Sequence, residues 1–444
     1  MKRLNFSTSI PRLAPLAAAL FLGGGMTSAF ATNGYFSHGY GMKAKGMGGV
    51  SVAMTDNAFA GANNPAIAAW AGSRMELGVD VFMPERSMTR TGSVGLNAGS
   101  IDAAVKSDSG TFYIPEFAYN RAVSDKLGVG ISVYGNGGLN TDYAGGQINC
   151  GAGANTANVL CGSGRLGIDL MQLVIAPTIA YKVSDVHSFG ISPLLVQQNF
   201  KADGLQAFDN ATGFPAMTRA KGSVTGNGTD TSSGFGVRLG YLGQLNDKLT
   251  VGASYAPKIS MSKFSKYAGL FADGGNFDIP EMLSLGAAFK ATPNVTLAVD
   301  YERINYSGVP SVGNSSSNLA LLGAPTGKGF GWADIDVWKV GVQWAATQAL
   351  TIRAGVNIGG NPVKGADVSF NILAPGVITT HYTVGGTYAL SKESELTFSY
   401  MYAPSNAVTG TSMFDGIAQQ AGAGGTETVK MSQQAIGVQF GWKF

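Results

Sequence analysis

The chain has 444 residues, of which 64 are glycine and 45% are hydrophobic, but only 13% are charged. Soluble proteins average about 25% charged residues, and after the N-terminus no stretch approaches the roughly 18 uninterrupted apolar residues of a membrane-spanning helix. These values disfavour both an ordinary soluble protein and a helical membrane protein, and they favour a barrel whose strands alternate apolar with small or polar residues.

Residues 1–31 have the organisation of a secretory signal peptide. An apolar run over residues 13–25 precedes small residues at Ala29 and Ala31, and it is too short for the alternative, an uncleaved anchor helix. The segment contains no acidic residue and three of the 30 basic ones, namely Lys2, Arg3 and Arg12. The exported chain is therefore predicted to carry 27 basic and 27 acidic residues, which gives no support to a nucleic-acid partner.

Residues 32–73 lack the pattern of strands. They are rich in glycine and alanine, too apolar for a solvated tail, and they precede the first strand. We predict that they pack inside the barrel as a plug, with short helices between Asp56 and Ala71.

From residue 74 onward, apolar residues recur at every second position, as strands between lipid and lumen require. The last segment shows this most clearly, because one parity holds Ile436, Val438, Phe440, Trp442 and Phe444. Six short polar turns alternate with seven longer segments rich in glycine, serine and asparagine: 91–110, 136–165, 202–233, 262–278, 307–329, 360–376 and 404–427. We therefore predict an all-β fold, a transmembrane antiparallel β-barrel of about 14 strands over residues 74–444.

The two cysteines, Cys150 and Cys161, lie in one of these polar segments. In an exported protein, such a pair predicts a disulfide within a surface loop. Two cysteines without a neighbouring histidine cannot supply four protein ligands to zinc, and we expect no metal site.

Three motifs near the start of the predicted plug occur together. They are the run from Asn33 to Gly41, the run from Lys45 to Gly49, and the triplet Asn64-Pro65-Ala66. In order and spacing they resemble the mature N-terminus of the FadL long-chain fatty acid transporter family, which includes toluene and xylene uptake proteins.

The resemblance implies a fourteen-stranded barrel closed from the periplasm by an N-terminal hatch. The triplet Asn64, Pro65 and Ala66 would lie in this hatch. The extreme N-terminus would reach into the ligand pocket, and its residues here are Asn33, Gly34, Tyr35 and Phe36.

The resemblance also implies a kink in the third strand that opens a passage through the wall. We predict this strand from Leu127 to Tyr134, followed by glycines that permit a bend: Gly135, Gly137 and Gly138. The same glycines are equally compatible with the start of an ordinary loop.

Parity places several charged residues on the inner face. The cations are Arg238, Lys258, Lys339 and Arg353, and the anions include Glu76, Asp80, Asp300 and Glu302. One interpretation is a set of ion pairs bracing the lumen. The other is that one or two cations bind the headgroup of a ligand.

A cluster of apolar residues stands in a long loop: Phe264, Tyr267, Leu270 and Phe271. Such a cluster predicts either an outer groove for hydrophobic ligand or packing of one loop on another.

The sequence disfavours an enzyme. Of its three histidines, His38 lies in the predicted plug, His187 in a predicted turn and His381 at the start of a strand, and the adjacent pair His187 and Ser188 has no third, orienting group. We expect no cofactor. We predict a monomer in the bacterial outer membrane, in contact with its lipid and lipopolysaccharide, that takes up a hydrophobic small molecule passively. Fatty acids are preferred over aromatic hydrocarbons, and a general porin is the remaining alternative.

Overall fold

A computed structural model describes residues 33–94, 99–150, 156–211, 216–415 and 424–444, so the predicted signal peptide lies outside the described residues. Fourteen long strands form a closed antiparallel barrel, in which each strand pairs with its neighbour along the chain and the last strand pairs with the first. In chain order they are β1 (Arg74–Thr91), β3 (Phe112–Ala122), β4 (Leu127–Tyr143), β5 (Leu166–Lys182), β6 (His187–Asp203), β7 (Asp230–Gln244), β8 (Leu249–Ala256), β9 (Met282–Thr292), β10 (Val295–Ile304), β11 (Ile335–Ala345), β12 (Leu350–Gly359), β13 (Thr380–Ala389), β14 (Ser394–Thr411) and β15 (Thr426–Lys443).

The predicted barrel of fourteen strands is confirmed, and one short strand adds to it. This strand, β2 (Ala103–Lys106), lies in the segment predicted to be a loop at 91–110 and pairs with the upper end of β1. Four residues are too few for their alternation to stand out in the sequence.

Period-two alternation separates the two faces of the wall. On β15, for example, buried and exposed side chains alternate, and Ile436, Phe440 and Trp442 are exposed. The six short turns lie at one end of the barrel and the long loops at the other, as antiparallel order requires.

The helices of the described residues are short and do not form part of the wall. The α-helical turns are Met42–Lys45, Ala272–Gly275 and Pro310–Gly313, and the 3₁₀ turns are Pro65–Ala69, Gln206–Phe208, Ser265–Tyr267, Tyr306–Gly308, Gly365–Asp367, Phe370–Ile372 and Met413–Asp415. Among the described residues, no helix has the length and apolarity needed to span a bilayer.

The wall is uneven in height. Strands β1, β14 and β15 have 18 residues each, whereas β8 to β13 have between 8 and 11. Side chains from the long loops join those of the inner wall in one large apolar core. The lumen at the loop end is therefore occupied by packed loops.

Candidate functional site

The N-terminal segment (residues 33–73) lies against the inner face of the barrel. It approaches the wall closely where the strands carry glycine: Gly46 meets Gly385, Met47 meets Gly341 and Gly355. A side chain at any of these wall glycines would collide with the segment. Together these contacts reach strands β11, β12 and β13, so glycine on the inner face makes room for the segment.

Lys43 ties the segment to the wall near the short turns. Its Nζ lies 2.9 Å from Glu76 Oε1 and 2.5 Å from Glu395 Oε1, and it donates a hydrogen bond of 2.6 Å to the backbone oxygen of Asp56. All three charged side chains are buried. Buried charges persist when they are paired and hydrogen-bonded, so this cluster holds the segment in one position.

Lys45 makes a second buried link. Its Nζ lies 2.9 Å from Asp80 Oδ2 and also bonds Glu116. Burial by itself would lower the pKa of Lys45, but the two carboxylates raise it above its usual value. Parity placed Glu76 and Asp80 on the inner face, as observed, but it did not reveal that their partners are the lysines of the N-terminal segment.

The triplet Asn64-Pro65-Ala66 begins the 3₁₀ turn Pro65–Ala69. Asn64 caps this turn, because its Oδ1 accepts a hydrogen bond from Ala66 N at 3.1 Å. Its Nδ2 donates to the backbone oxygens of Val52 at 2.8 Å and of Tyr241, on β7, at 2.9 Å. The fully buried Asn64 side chain thus joins the turn, the segment and the wall.

Wall glycines again create the space for this turn. A side chain at Gly190 of β6 would meet Pro65, and one at Gly240 of β7 would meet Asn64 Oδ1. The triplet therefore rests on two strands that lack side chains at the points of contact.

The start of the segment pairs with β4. Gly138 N donates to Tyr35 O at 3.1 Å, and Phe36 forms a β-bridge with Gly137. Here β4 contains one extra residue, since Gly135 pairs with Leu173 of β5 while Gly137 pairs with the preceding residue of β5. The bulge lies at the glycines predicted to permit a bend, and this part of β4 contacts Tyr35 and Phe36.

Strands β3 and β4 separate between the bulge and the long loops. They pair only from Phe117–Val133 to Ala122–Gly128, although β4 continues to Tyr143. In contrast, β4 stays paired with β5 along its whole length. The predicted third strand is therefore longer than expected, and its upper half is bonded to only one neighbouring strand of the wall.

A cavity of about 320 Å³ lies beside this bulge. Arg238 on β7 reaches it, together with Phe36, Tyr134 and Asn136, and most of the remaining lining is apolar. The Arg238 guanidinium is buried and donates to the backbone oxygens of Gly61, at 3.0 Å, and Ala62. No carboxylate among the described residues forms an ion pair with it.

The other predicted headgroup cations differ from Arg238. Lys339 lies 3.2 Å from Glu302, and Arg353 lies 2.9 Å from Asp56 of the N-terminal segment. The prediction that Lys258 faces the lumen is wrong, because β8 ends at Ala256 and the Lys258 side chain beyond it is exposed.

A second cavity, of about 520 Å³, lies among the long loops. Its lining is almost entirely apolar and includes five phenylalanines: Phe200, Phe208, Phe271, Phe330 and Phe370. Among the described residues that line it, Lys328 alone is charged, and it donates to the backbone oxygens of Ser316 and Asn318 at 2.9 and 2.6 Å. Burial lowers the pKa of Lys328.

Of the four residues predicted to form either an outer ligand groove or a contact between loops, two fit the first interpretation and two fit the second. Leu270 and Phe271 line this loop cavity. Phe264 and Tyr267 are fully buried instead and pack on Phe200, with ring centroids 5.6 and 4.8 Å away. Sequence reasoning missed the lining residues of other loops, because residues so far apart in the chain carry no shared local pattern.

Four aromatic rings connect the two cavities. The ring of Phe271, in the loop cavity, lies 5.0 Å from Phe277, which lies 6.0 Å from Tyr35. Tyr35 lies 4.9 Å from Phe36, which lines the Arg238 cavity. Tyr306 holds this end of the segment, since its hydroxyl donates to Asn33 O and accepts from Tyr35 N. A side chain at Gly34 would collide with the Tyr306 ring.

Cys150 and Cys161 form a disulfide. Leu160, next to Cys161, lines the loop cavity. The described residues contain no group of three or more histidines, cysteines or carboxylates arranged to hold a metal ion.

Solved structures of similar fold include two toluene transporters and a FadL homologue. The Pseudomonas putida toluene transporter TodX has a TM-score of 0.64 and 19% identity, over 92% of this chain and 99% of that one. The Ralstonia pickettii toluene transporter TbuX has a TM-score of 0.60 and 18% identity, over 92% of this chain and 99% of that one. A Pseudomonas aeruginosa FadL homologue has a TM-score of 0.63 and 14% identity, over 93% of this chain and 100% of that one. A search of curated proteins by sequence finds no match.

The closed antiparallel barrel, with short turns at one end and long loops at the other, is the fold of an outer-membrane β-barrel protein. Residues 23–444 match the family model described as outer membrane protein transport protein (OMPP1/FadL/TodX). The chain therefore belongs to this family, as its N-terminal motifs predicted, and it is an outer-membrane transporter of hydrophobic compounds.

Proposed function

We propose that this protein mediates passive uptake of long-chain fatty acids, with Arg238 binding the carboxylate. The observation that carries this proposal is a buried cation beside an apolar cavity with no acidic partner among the described residues. Leaving a charge uncompensated in such a place is costly. A fatty acid carboxylate would supply the missing charge through charge-assisted hydrogen bonds, and the cavity would accept part of the chain.

The proposed route begins at the loop cavity and continues along the aromatic rings from Phe271 to Phe36. Ligand then reaches Arg238 and leaves where β3 and β4 separate. The N-terminal segment acts as a hatch, because its contacts with the inner face obstruct a straight path to the periplasm. Lateral exit places an amphipathic ligand directly in the bilayer, where its apolar chain is most stable.

The experiment compares Arg238→Gln with Lys258→Gln, which removes an exposed cation. We expect Arg238→Gln to weaken oleate binding to the purified protein by about 10-fold to 100-fold, in line with the loss of a hydrogen bond to a charged group. Lys258→Gln should bind like the unsubstituted protein. Equal oleate affinity in all three proteins would contradict the proposed role of Arg238.

A second candidate cargo is an aromatic hydrocarbon, favoured by the five phenylalanines of the loop cavity. Such a cargo has no carboxylate, so toluene uptake would not respond to Arg238→Gln. Mass spectrometry of compounds that co-purify with the protein distinguishes the two cargoes. Recovery of neutral aromatic compounds without fatty acids would favour the second.

A further inference from the structure

The outer face of the tallest part of the wall changes character along its length. On β1, Leu77 and Val79 are exposed apolar residues, and on β15 so are Ile436 and Phe440. Beyond Met83, the residues of β1 with the same parity are polar: Glu85, Ser87 and Thr89. The apolar band that contacts lipid therefore ends near Met83, while β1 continues to Thr91.

Two exposed lysines lie on this polar part of the wall, one on each side of Ser87. Ser87 pairs with Lys430 of β15 and with Lys106 of β2. With neighbouring strands about 4.8 Å apart, the two lysine backbones are separated by about 10 Å. Among the described residues, neither lysine has a carboxylate within ion-pair distance, so both ammonium groups are available to a ligand.

Hydroxyl groups surround the two lysines. In the next row, Thr89 pairs with Thr428, which pairs with Thr409 of β14. The Thr409 and Thr428 hydroxyl oxygens are 2.8 Å apart. The inward-facing neighbours Val105 and Met88 pack in the apolar core and fix the outward direction of Lys106. The short strand β2 thus completes a face of lysines and hydroxyls.

The height of this face matches the headgroup region of the membrane. Ser87 lies four residues beyond Met83, which is about 13 Å along a strand and less along the tilted membrane normal. The headgroup layer outside the hydrocarbon core is about 5–8 Å deep on each side of the bilayer, so the two lysine backbones lie near its outer edge and their long side chains reach into it. The face also lies toward the long loops, opposite the short turns, and therefore at the outer leaflet.

We propose that Lys106 and Lys430 bind phosphate groups of an anionic lipid in the outer leaflet. Lysine binds phosphate as a concentrated charge, and basic residues beside a membrane surface strengthen binding to anionic lipid. The hydroxyls of Ser87 and Thr89 supply further donors. This site is on the outside of the barrel, so it is independent of cargo binding in the lumen.

The test uses native mass spectrometry of the full barrel in neutral detergent with added lipid A, either phosphorylated or enzymatically dephosphorylated. We expect the phosphorylated form to bind more tightly. The double variant Lys106→Gln, Lys430→Gln should lose about 30-fold in affinity, equivalent to about 1 kcal/mol for each lysine. The matched control, Lys248→Gln with Lys392→Gln, removes two exposed lysines of the short turns and should bind normally.

A gain of affinity provides a second arm. Glu85 is exposed on the same face of β1, two residues before Ser87 and therefore closer to the apolar band. Glu85→Lys should tighten binding of phosphorylated lipid A by about 10-fold and leave the dephosphorylated form unaffected. Equal binding of the two lipids to the unsubstituted barrel, or unchanged affinity in both the Lys106/Lys430 and the Glu85 variants, would overturn the proposal.

Discussion

Asn64 illustrates how single side chains hold the N-terminal segment. It uses both hydrogens of its amide group and its oxygen, and it is fully buried. An asparagine before a proline is an ordinary turn signal in a sequence. Its two long-range bonds, to Val52 and Tyr241, become visible only when the wall is in place.

Replacing Asn64 by Asp tests those two bonds with almost no change of shape. The variant keeps the oxygen that caps the turn but loses both donors, which should destabilise the segment by roughly 2 kcal/mol. We expect slower fatty acid uptake by cells and an intact barrel, seen as unchanged heat-dependent mobility on electrophoresis. Asn63→Asp, at a buried neighbour without these bonds to the wall, is the control; equal uptake by both variants and the unsubstituted protein would argue against a gating role.

His38 predicts how the segment responds to acid. Burial, reinforced by the charges of Lys45 and Lys339, lowers the pKa of His38 to about 3. His381 stacks on it with ring centroids 5.8 Å apart. Because the folded pKa is below the value of about 6.5 in an unfolded chain, stability from neutral His38 is complete above pH 6.5 and is lost as the pH falls from there toward 3.

Hydrogen exchange of residues 33–50, corrected for the intrinsic pH dependence of exchange, should therefore show faster opening at pH 4.5 than at pH 7. His38→Gln removes this titration and should flatten the response. Burial raises the pKa of Asp56, but Arg353, Lys43 and Arg74 outweigh burial and lower this pKa to about 2. The stability from ionised Asp56 is therefore complete above about pH 4 and is lost only below that pH. A response that is unchanged in His38→Gln would assign the acid sensitivity to another group.

At the scale of elements, the alternation of apolar residues predicted the number and order of the strands but not their upper ends. The segment 404–427 was predicted as a loop, yet β14 continues to Thr411 and β15 begins at Thr426. Above the apolar band, the outer face no longer meets hydrocarbon. Threonine and serine therefore replace the apolar residues, and the signal used to recognise strands disappears.

The candidate site was only partly predictable for a similar reason. Arg238 was found because parity is a local property of a strand. Lys258 was misplaced because parity holds only while the strand continues, and β8 ends at Ala256. The Lys43 and Lys45 partners, and the lining of the loop cavity, depend on contacts between distant parts of the chain, which one sequence does not encode in a readable pattern.

The bulge of β4 gives a prediction for this element. Deleting Asn136 would let Gly135 and Gly137 continue the register with β5 and would straighten the strand. We expect a folded barrel with strongly reduced uptake, measured with labelled oleate in cells. Deleting Asn246, in a short turn, controls for the loss of one residue, and normal uptake after the Asn136 deletion would exclude the bulge from the route.

The disulfide gives a second prediction at this scale. Cys150→Ser with Cys161→Ser should leave the barrel intact but loosen the loop that contributes Leu160 to the loop cavity. Faster protease cleavage between residues 145 and 165, together with weaker oleate binding, is expected. Ser315→Ala, in another long loop, should affect neither; unchanged cleavage in the cysteine variant would show that the loop is held by other contacts.

At the scale of the whole molecule, the N-terminal segment decides between a transporter of apolar cargo and a porin. In planar bilayers, we expect the complete protein to show small conductance because the segment and the packed loops occupy the lumen. A variant lacking residues 33–73 should show larger and steadier conductance, since much of the inner face would then be free. Large open channels in the complete protein would instead indicate a porin.

The pairing of β1 with β15 over eighteen residues also constrains the order of assembly. The portion of the chain enclosed by the barrel is made first, whereas the strand that completes the enclosure is made last. We therefore expect the N-terminal segment to take its position before or during closure of this seam, because afterwards the hydrogen-bonded wall surrounds it on every side except where β3 and β4 separate. A separate peptide of residues 33–73, added to a finished barrel of residues 74–444, should consequently fail to restore the closed state.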